Sequence, residues 1–371
     1  MVTIGFLTSA AVALAASSNA AVECTYALQD HNIPPTLRDF TAFGDRSWIA
    51  VATQPGCPWT IPRSAEAWLT VGAAGEPRSG SGDVYYAAAR NLSPLRRTTS
   101  LVIAGDVLEI TQHERPSSLD FDGDGRPDLL WYHEGDGRIA VWRMAGIQQL
   151  EGIPTVPAQV TDLDWRLAGG GDLDGDGKPD LVWQHRLDGR ISAWLMDGLR
   201  RRTGEVFAQV LDTNWQIRAV SDVNGDGRAD LLWQHTTDGQ VAIWLMAGLR
   251  AIDARLVDAP RITDPNWRLV GAGEIVGYGG DSYELLWQHD GDGRLAVWHM
   301  RGLDLSGAQV IDQVADTNWK IRAVGDFNND GAPDLIWQNR ADGRLSVWLK
   351  YGGRPDLGTV ADLQWRIVGS Q

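Results

Sequence analysis

The chain is a tandem array, and this constrains its fold more than any other property. Residues 120–131 (DFDGDGRPDLLW) return as 172–183 (DLDGDGKPDLVW), 222–233 (DVNGDGRADLLW) and 326–337 (DFNNDGAPDLIW), and a worn copy ends at Trp287. The closing tryptophans 131, 183, 233, 287 and 337 lie 52, 50, 54 and 50 residues apart. A fixed period of ~20–50 residues marks one supersecondary unit that cannot bury its apolar face alone and stacks on its neighbours.

Each repeat opens with oxygen donors at positions 1, 3, 5 and 9 and a turn residue at 6, with the carbonyl of position 7 available as a further donor. In the first copy these are Asp120, Asp122, Asp124, the Arg126 carbonyl and Asp128, with Gly125 at the turn. The second has Asp172, Asp174, Asp176, the Lys178 carbonyl and Asp180. The third has Asp222, Asn224, Asp226, the Arg228 carbonyl and Asp230. The last has Asp326, Asn328, Asp330, the Ala332 carbonyl and Asp334. Alternate residues of a tight loop converge on one point, and a calcium ion takes ~6–8 oxygens at roughly 2.3–2.6 Å. An EF-hand would place a glutamate of an exiting helix at position 12. Here that position is a tryptophan ending a strand-like run, so the loop joins strands. The alternative is a set of Asp-Gly turns that bind nothing, against which stands the mutual repulsion of clustered carboxylates. Residues 273–284 (GEIVGYGGDSYE) lose the alternating aspartates and gain two residues. About four calcium sites are therefore expected, with the fourth unit empty and Tyr278 and Tyr283 open to another role or to drift.

The rest of each unit follows one order. After the loop comes a short strand (181–185, LVWQH), an Asp-Gly turn, a second strand (190–194, RISAW) and a Met-x-Gly turn. A weaker strand near 205–210 follows, then a strand that opens on Trp215 and enters the next loop. The Asp-Gly turn recurs at 136, 188, 238, 292 and 342, the favoured chemistry for a two-residue hairpin. Four antiparallel strands per unit describe a propeller blade. Fifteen of the eighteen tryptophans are periodic, and their first expectation is to wedge between blades. The first loop has no Trp-initiated strand before it, whereas the chain ends on such a strand from Trp365. That strand is expected to complete the first blade and close a ring of five, removing two open sheet edges.

Residues 1–20 have an apolar, alanine-rich core and small residues at 18 and 20, as a secretory signal does. No other run approaches ~18 apolar residues, so the chain reads as exported (secreted or extracellular) and not membrane-spanning. Residues 22–113 lack the repeat and alternate short β-like runs, 47–53, 68–71, 84–88, 99–103 and 107–112, with turns, as a small Ig-like sandwich does. A polar segment, 114–118, links it to the array at 119–371. Cys24 and Cys57 are the only cysteines; an even count in an exported chain favours one disulfide, the alternative being two buried thiols. The net charge of −15 argues against a nucleic-acid partner, which needs a basic surface.

Two resemblances follow. Cys24-x-Tyr26-x-Leu28, Gly56-Cys57-Pro58-Trp59, Trp68-Leu69-Thr70-Val71 and Gly80-Ser81-Gly82-x-Val84-x-Tyr86 resemble the BACON domain. Membership would imply a sandwich of secreted bacterial proteins for which carbohydrate binding has been inferred. Trp48, Trp59 and Trp68 are its candidate sugar-stacking rings, with Trp68 favoured as core. The aspartate-loop units resemble FG-GAP/VCBS repeats, the propeller repeats of secreted bacterial proteins and integrin α-subunit heads. That implies calcium-stabilised blades and extracellular binding or adhesion.

No nucleophile elbow, zinc-protease helix, phosphate loop or dinucleotide fingerprint is present, and no unique carboxylate pair stands apart from the loops. A non-enzymatic protein is expected. The remaining constellation is Trp183-Gln184-His185, Trp233-Gln234-His235 and Trp287-Gln288-His289. These residues are candidates either for repeated sugar sites or for a hydrogen-bond network between blades. The reading is thus an all-β protein, an Ig-like β-sandwich followed by a five-bladed β-propeller. Its partner is a glycan or, alternatively, an extracellular protein bound by an adhesion or scaffold module in which calcium is purely structural.

Overall fold

The computed structural model describes residues 23–29, 37–40, 45–89, 91, 96–112, 119–276, 282–330, 332–350 and 352–369. The expected leader and linker lie outside them. Among the described residues every regular element is a strand.

In the N-terminal part, one antiparallel sheet runs in the order Tyr26–Gln29, Asp45–Thr53, Gly82–Ala88, Leu69–Val71. In the other sheet Asp106–Gln112 lies between Leu37–Phe40, to which it is parallel, and Arg97–Ile103, to which it is antiparallel. Strand alternation turns Ile49, Val51, Val84 and Tyr86 of the first sheet and Leu101, Ile103, Leu108 and Ile110 of the second into one shared core. The five strands expected from sequence are all present. Four more were not legible, including the short antiparallel pair Pro58–Thr60 with Pro77–Ser79. Cys24 and Cys57 form a disulfide with Cα atoms 5.6 Å apart. Of the candidate stacking rings, Trp59 is buried and donates its Nε1–H to the Gly80 carbonyl at 2.8 Å. Trp68 packs half-buried against the core with the Arg97 guanidinium 4.6 Å above it. Only Trp48 is exposed.

The repeats form five four-stranded antiparallel arrangements. In the second these are Trp165–Gly171, Asp180–His185, Arg190–Asp197 and Arg200–Gln209, from innermost to outermost. The third and fourth start at Trp215–Ser221 and Trp267–Gly273, the fifth at Trp319–Gly325. The first takes its innermost strand from the C-terminus: Trp365–Ile367 pairs antiparallel with Leu129–His133, Trp131 opposite Ile367. At the outer rim the first and second sheets are joined by one parallel pair, Val156 with Arg200.

Each neighbouring pair of sheets shares a core, and each core holds one of the five tryptophans that close the loop motif. Trp183 lies between the first and second sheets, Trp233 between the second and third, and Trp287 between the third and fourth. Trp337 lies between the fourth and fifth, and Trp131 between the fifth and the first. All five are at most 1% exposed. A ring of this size buries ~150–250 Å², which at ~25 cal/mol per Å² contributes about 4–6 kcal/mol each before entropy is counted. Glycines let two sheets approach: a Cβ on Gly169 or Gly171 would come within 2.8 or 2.7 Å of Val220 or Ala229 side chains of the next unit.

Two expectations need correction. The outermost strand of the second unit is Arg200–Gln209, beginning five residues before the expected start. It is mostly exposed and is defined by its backbone ladder to Arg190–Asp197, which apolar patterning does not reveal. In the fourth unit the second strand, Ser282–His289, is eight residues long against six in the second. Tyr283 is consequently buried opposite Met300, and so presents no ring to a ligand. Residue 278 lies outside the described residues.

Candidate functional site

In the second, third and fifth units the aspartate loop joins the innermost strand to the next, and in the first it leads directly into Leu129–His133. In the first loop the Asp120 carboxylate accepts the N–H groups of Gly123 (2.7 Å), Asp124 (3.2 Å) and Gly125 (2.7 Å). Asp124 in turn accepts the Arg126 N–H at 2.9 Å. Asp128 Oδ2 takes the Phe121 N–H and Oδ1 the Met144 N–H, both at 2.9 Å. The second loop repeats this with Asp172, Asp176 and Asp180, and the third with Asp222, Asp226 and Asp230. In the last, Asp334 accepts from Phe327 and Lys350. Position 9 is therefore a structural pin as well as a candidate ligand, a second role that spacing alone does not disclose.

The donor set fits a hard cation. One oxygen each from Asp120, Asp122 and Asp128, and likewise from Asp172, Asp174 and Asp180, lie within 4.8 Å of one another. Burial, opposed by the backbone hydrogen bonds and reinforced by neighbouring carboxylates, pushes Asp128 and Asp180 up to about 7 and Asp172 to about 6. Asp230 and Asp334 rise to about 7 and about 6, again chiefly by burial. Carboxylates held in this way are short of positive charge. Part of it comes from two arginines that sequence reading did not single out. Arg143 reaches Asp122 Oδ2 at 2.5 Å, and Arg202 reaches Asp174 at 2.5 Å and Asp176 at 3.2 Å. In the fourth unit Glu284, 1% exposed, stands where the others have the ninth-position aspartate, near His299 Nδ1 at 3.4 Å.

The Trp-Gln-His sets lie at the opposite ends of the second strands. Gln184 donates to the Trp215 carbonyl at 2.8 Å and accepts the Ile217 N–H at 3.0 Å, clamping the second unit to the third. Gln234 and Gln288 clamp the following pairs identically, and Gln338 does so onto Trp365 and Ile367. His235 is held between Asp238 (2.6 Å) and Asp212 (3.1 Å), and His289 between Asp292 (2.7 Å) and Asp264 (2.8 Å). His185 sits 2.7 Å from Asp188. The glutamines, His235 and His289 thus spend their polar atoms within the protein, whereas His185 stands beside Asp188 without a hydrogen bond from Nδ1. Of the candidate ligand residues, Trp183 borders a groove between two sheets, while Gln184 and His185 border the cavity enclosed by the innermost strands.

That groove, about 520 Å³, lies between the first and second sheets and is lined by Trp165, Trp183, Trp194, Asp162, Ser192 and Arg201 among others. Trp183 and Trp194 are 5.0 Å apart and tilted by 44°. The Arg201 guanidinium covers Trp194 at 4.6 Å, while the buried Trp183 Nε1 has no hydrogen-bond partner. A smaller groove, about 300 Å³, between the third and fourth sheets is lined by Trp298, Gln240, Asp258 and Arg261.

A family model described as FG-GAP-like repeat matches residues 120–183 and 172–233. With the shared inter-sheet cores, these repeats make this part of the chain a repeat β-propeller, an architecture that suits a binding or scaffold module. Solved structures give distant likenesses. A GH5 xyloglucanase of Bacteroides ovatus in complex with a XXXG heptasaccharide matches at 17% identity over 26% of this chain and 21% of its own, TM-score 0.21. The chain thus spans about a fifth of that protein's length. A chain of a nidogen/laminin complex matches at 14% identity over 66% of this chain and 97% of its own, TM-score 0.38. A quinonprotein alcohol dehydrogenase-like protein from Bacteroides thetaiotaomicron matches at 9% over 92% and 98%, TM-score 0.37. No curated protein matches the chain. Among the described residues no helix is long and apolar enough to cross a membrane.

Proposed function

We propose that this is an exported, non-catalytic glycan-binding protein. In this reading a BACON-like, Ig-like sandwich (22–113) and a linker (114–118) precede a five-bladed propeller (119–371), which calcium stabilises and the C-terminal strand closes. The disulfide suits an oxidising, extracellular setting. Calcium would be held by the aspartates and asparagines of positions 1, 3, 5 and 9 and by the carbonyl of position 7. When bound it neutralises the clustered carboxylates and stiffens the blade edge.

The observation that carries the glycan reading is the groove between the first two sheets. Sugar recognition needs an apolar ring face beside convergent polar groups. Trp165 supplies a ring there and Trp194 a ring that Arg201 must uncover, while Asp162, Ser192 and Arg201 supply the polar groups. The ligand contacts shift accordingly from Gln184, whose polar atoms are committed to a clamp, and from His185, which lies outside this groove, to these neighbours. Binding of neutral oligosaccharides should be lost in Arg201→Ala with the melting temperature kept, and in Trp194→Ala, where loss of a buried ring also lowers the melting temperature. Unchanged binding in both variants would sink the groove as the site.

A protein partner is the second reading, favoured by exposed leucines at the turn end of the units: Leu163, Leu187, Leu211 and Leu363 are 40, 65, 80 and 47% exposed. Affinity for one protein that survives Trp194→Ala and fails in Leu187→Asp would favour it.

A further inference from the structure

We propose that the channel enclosed by the innermost strands is an oxyanion-binding site, built by arginines that β-bulges turn toward the ring axis. Four innermost strands break register at the same place: between Leu167 and Gly169, Ile217 and Ala219, Leu269 and Gly271, and Ile321 and Ala323. The extra residues are Ala168, Arg218, Val270 and Arg322. A bulge leaves its residue unpaired and re-aims the side chain. All four border a single cavity of about 470 Å³. Arg166, Arg268 and Arg366, each following the strand's first tryptophan, border it as well. Five arginines from the innermost strands thus converge in a chain whose net charge is −15.

The acids nearby do not balance them. Asp290 takes Arg268 at 3.1 Å and Lys320 at 2.5 Å, and Glu134 takes Arg366 at 2.5 Å. Arg186, also at the cavity, is held by Asp164 at 2.6 Å. Among the described residues Arg218 and Arg322 have no such partner: the Nε atom of each is buried with no hydrogen-bond acceptor. Burial and then neighbouring arginines push Arg218 down to about 10 and Arg322 to about 9.

Architecture does not demand these charges. The same bulge position is alanine in the second unit and valine in the fourth, so a small apolar residue satisfies the fold. A buried, unpaired guanidinium is costly, and it would be retained where a ligand supplies the missing charge. The planar fork of arginine matches the oxygens of sulfate, phosphate or carboxylate. The class of ligand is therefore an oxyanion, either a free inorganic anion or the acidic group of a uronic or sulfated sugar.

The test uses the full chain with calcium present and sodium sulfate as probe, since phosphate would strip the calcium. Sulfate should raise the melting temperature beyond sodium chloride at equal ionic strength and bind saturably by calorimetry. The double variant Arg218→Gln/Arg322→Gln should melt higher than wild type without sulfate, through relief of repulsion, and bind sulfate at least about tenfold more weakly. Arg255→Gln, on an outer strand, should bind as wild type does. Should the glutamine pair fail to fold, Arg218→Lys/Arg322→Lys keeps the charge without the fork and should still bind more weakly. Tighter binding of trigalacturonate than of sulfate would identify an acidic sugar as the source, and the reverse a free anion. Equal responses to sulfate and chloride, or undiminished sulfate binding in the folded double variants, would overturn the proposal.

Discussion

The Met196 N–H donates to Asp180 Oδ1 at 2.8 Å across sixteen residues, while Oδ2 of the same buried carboxylate takes the Leu173 N–H at 3.0 Å. One side chain thus pins the start of the loop to the end of the following hairpin. Asp128 with Met144, Asp230 with Met246 and Asp334 with Lys350 do the same at 2.8–3.1 Å. Asp180→Ala strands two buried N–H groups and should cost about 2–4 kcal/mol even without calcium. Asp174→Ala, whose carboxylate faces Arg202 near the surface, should cost under about 1 kcal/mol in chelator. Urea midpoints in chelator measure both. Equal losses would refute the pinning role.

Calcium should bind at four sites on the chelator-stripped protein, counted by calorimetry, and should raise its melting temperature. Asp172→Asn, which weakens the anchor of the second loop, should remove one site and leave three. A count unchanged in that variant would mean that calcium binds elsewhere.

The repeat, its strand order, the hairpin turns and the inter-sheet tryptophans were legible because each rests on local chemistry recurring at a fixed spacing. Three things were not. Gln184 reads either as a sugar ligand or as part of a hydrogen-bond network between blades, and only its partners, Trp215 and Ile217 of the next sheet, decide for the network. Arg202 lies 28 residues from Asp174, and only the pairing of strands brings it to the loop. The arginine ring was invisible because Arg218 and Arg322 become equivalent to Ala168 and Val270 only once the bulges are seen.

The glycine of each Asp-Gly turn is required on two grounds, and substitution can separate them. Gly189 has φ +73°, and a Cβ there would lie 1.7 Å from the Val210 carbonyl oxygen. Gly248 in a Met-x-Gly turn has φ +64° with nothing within 4 Å of an added Cβ. Gly248→Ala should cost about 1–2 kcal/mol from the backbone alone. Gly189→Ala should cost more than about 3 kcal/mol, because strain of this kind is joined by a collision with backbone. Comparable urea midpoints for the two variants would show that the turn yields.

Acid should loosen the histidine clamps. The side-chain hydrogen bond from His289, followed by the Asn266 N–H, holds the Asp264 carboxyl below its ordinary value of 3.8. The unfolded chain therefore takes up this proton at higher pH than the folded one. The stabilisation is complete above about pH 4 and disappears as the pH falls through the depressed value. Asp264→Asn should lower the urea midpoint at pH 6, with the difference from wild type narrowing below pH 3.8. A constant difference would mean that the aspartate acts by shape and not by charge.

The C-terminal strand should hold the propeller together out of proportion to its length. Trp365–Ile367 is three residues long, yet it pairs with Leu129–His133, receives the Gln338 clamp and puts Ile367 and Val368 into two inter-sheet cores. Deleting residues 361–371 would expose the edge of the first sheet and open both of its interfaces at once. Contacts that join the first unit to the last close a long loop, whose entropy a short strand has to offset. The truncated protein should therefore melt well below the intact one and expose Trp131, now at 1%, to a fluorescence quencher. Adding a peptide of the deleted sequence should restore part of the protection. An unchanged melting temperature would mean that the ring does not depend on this closure.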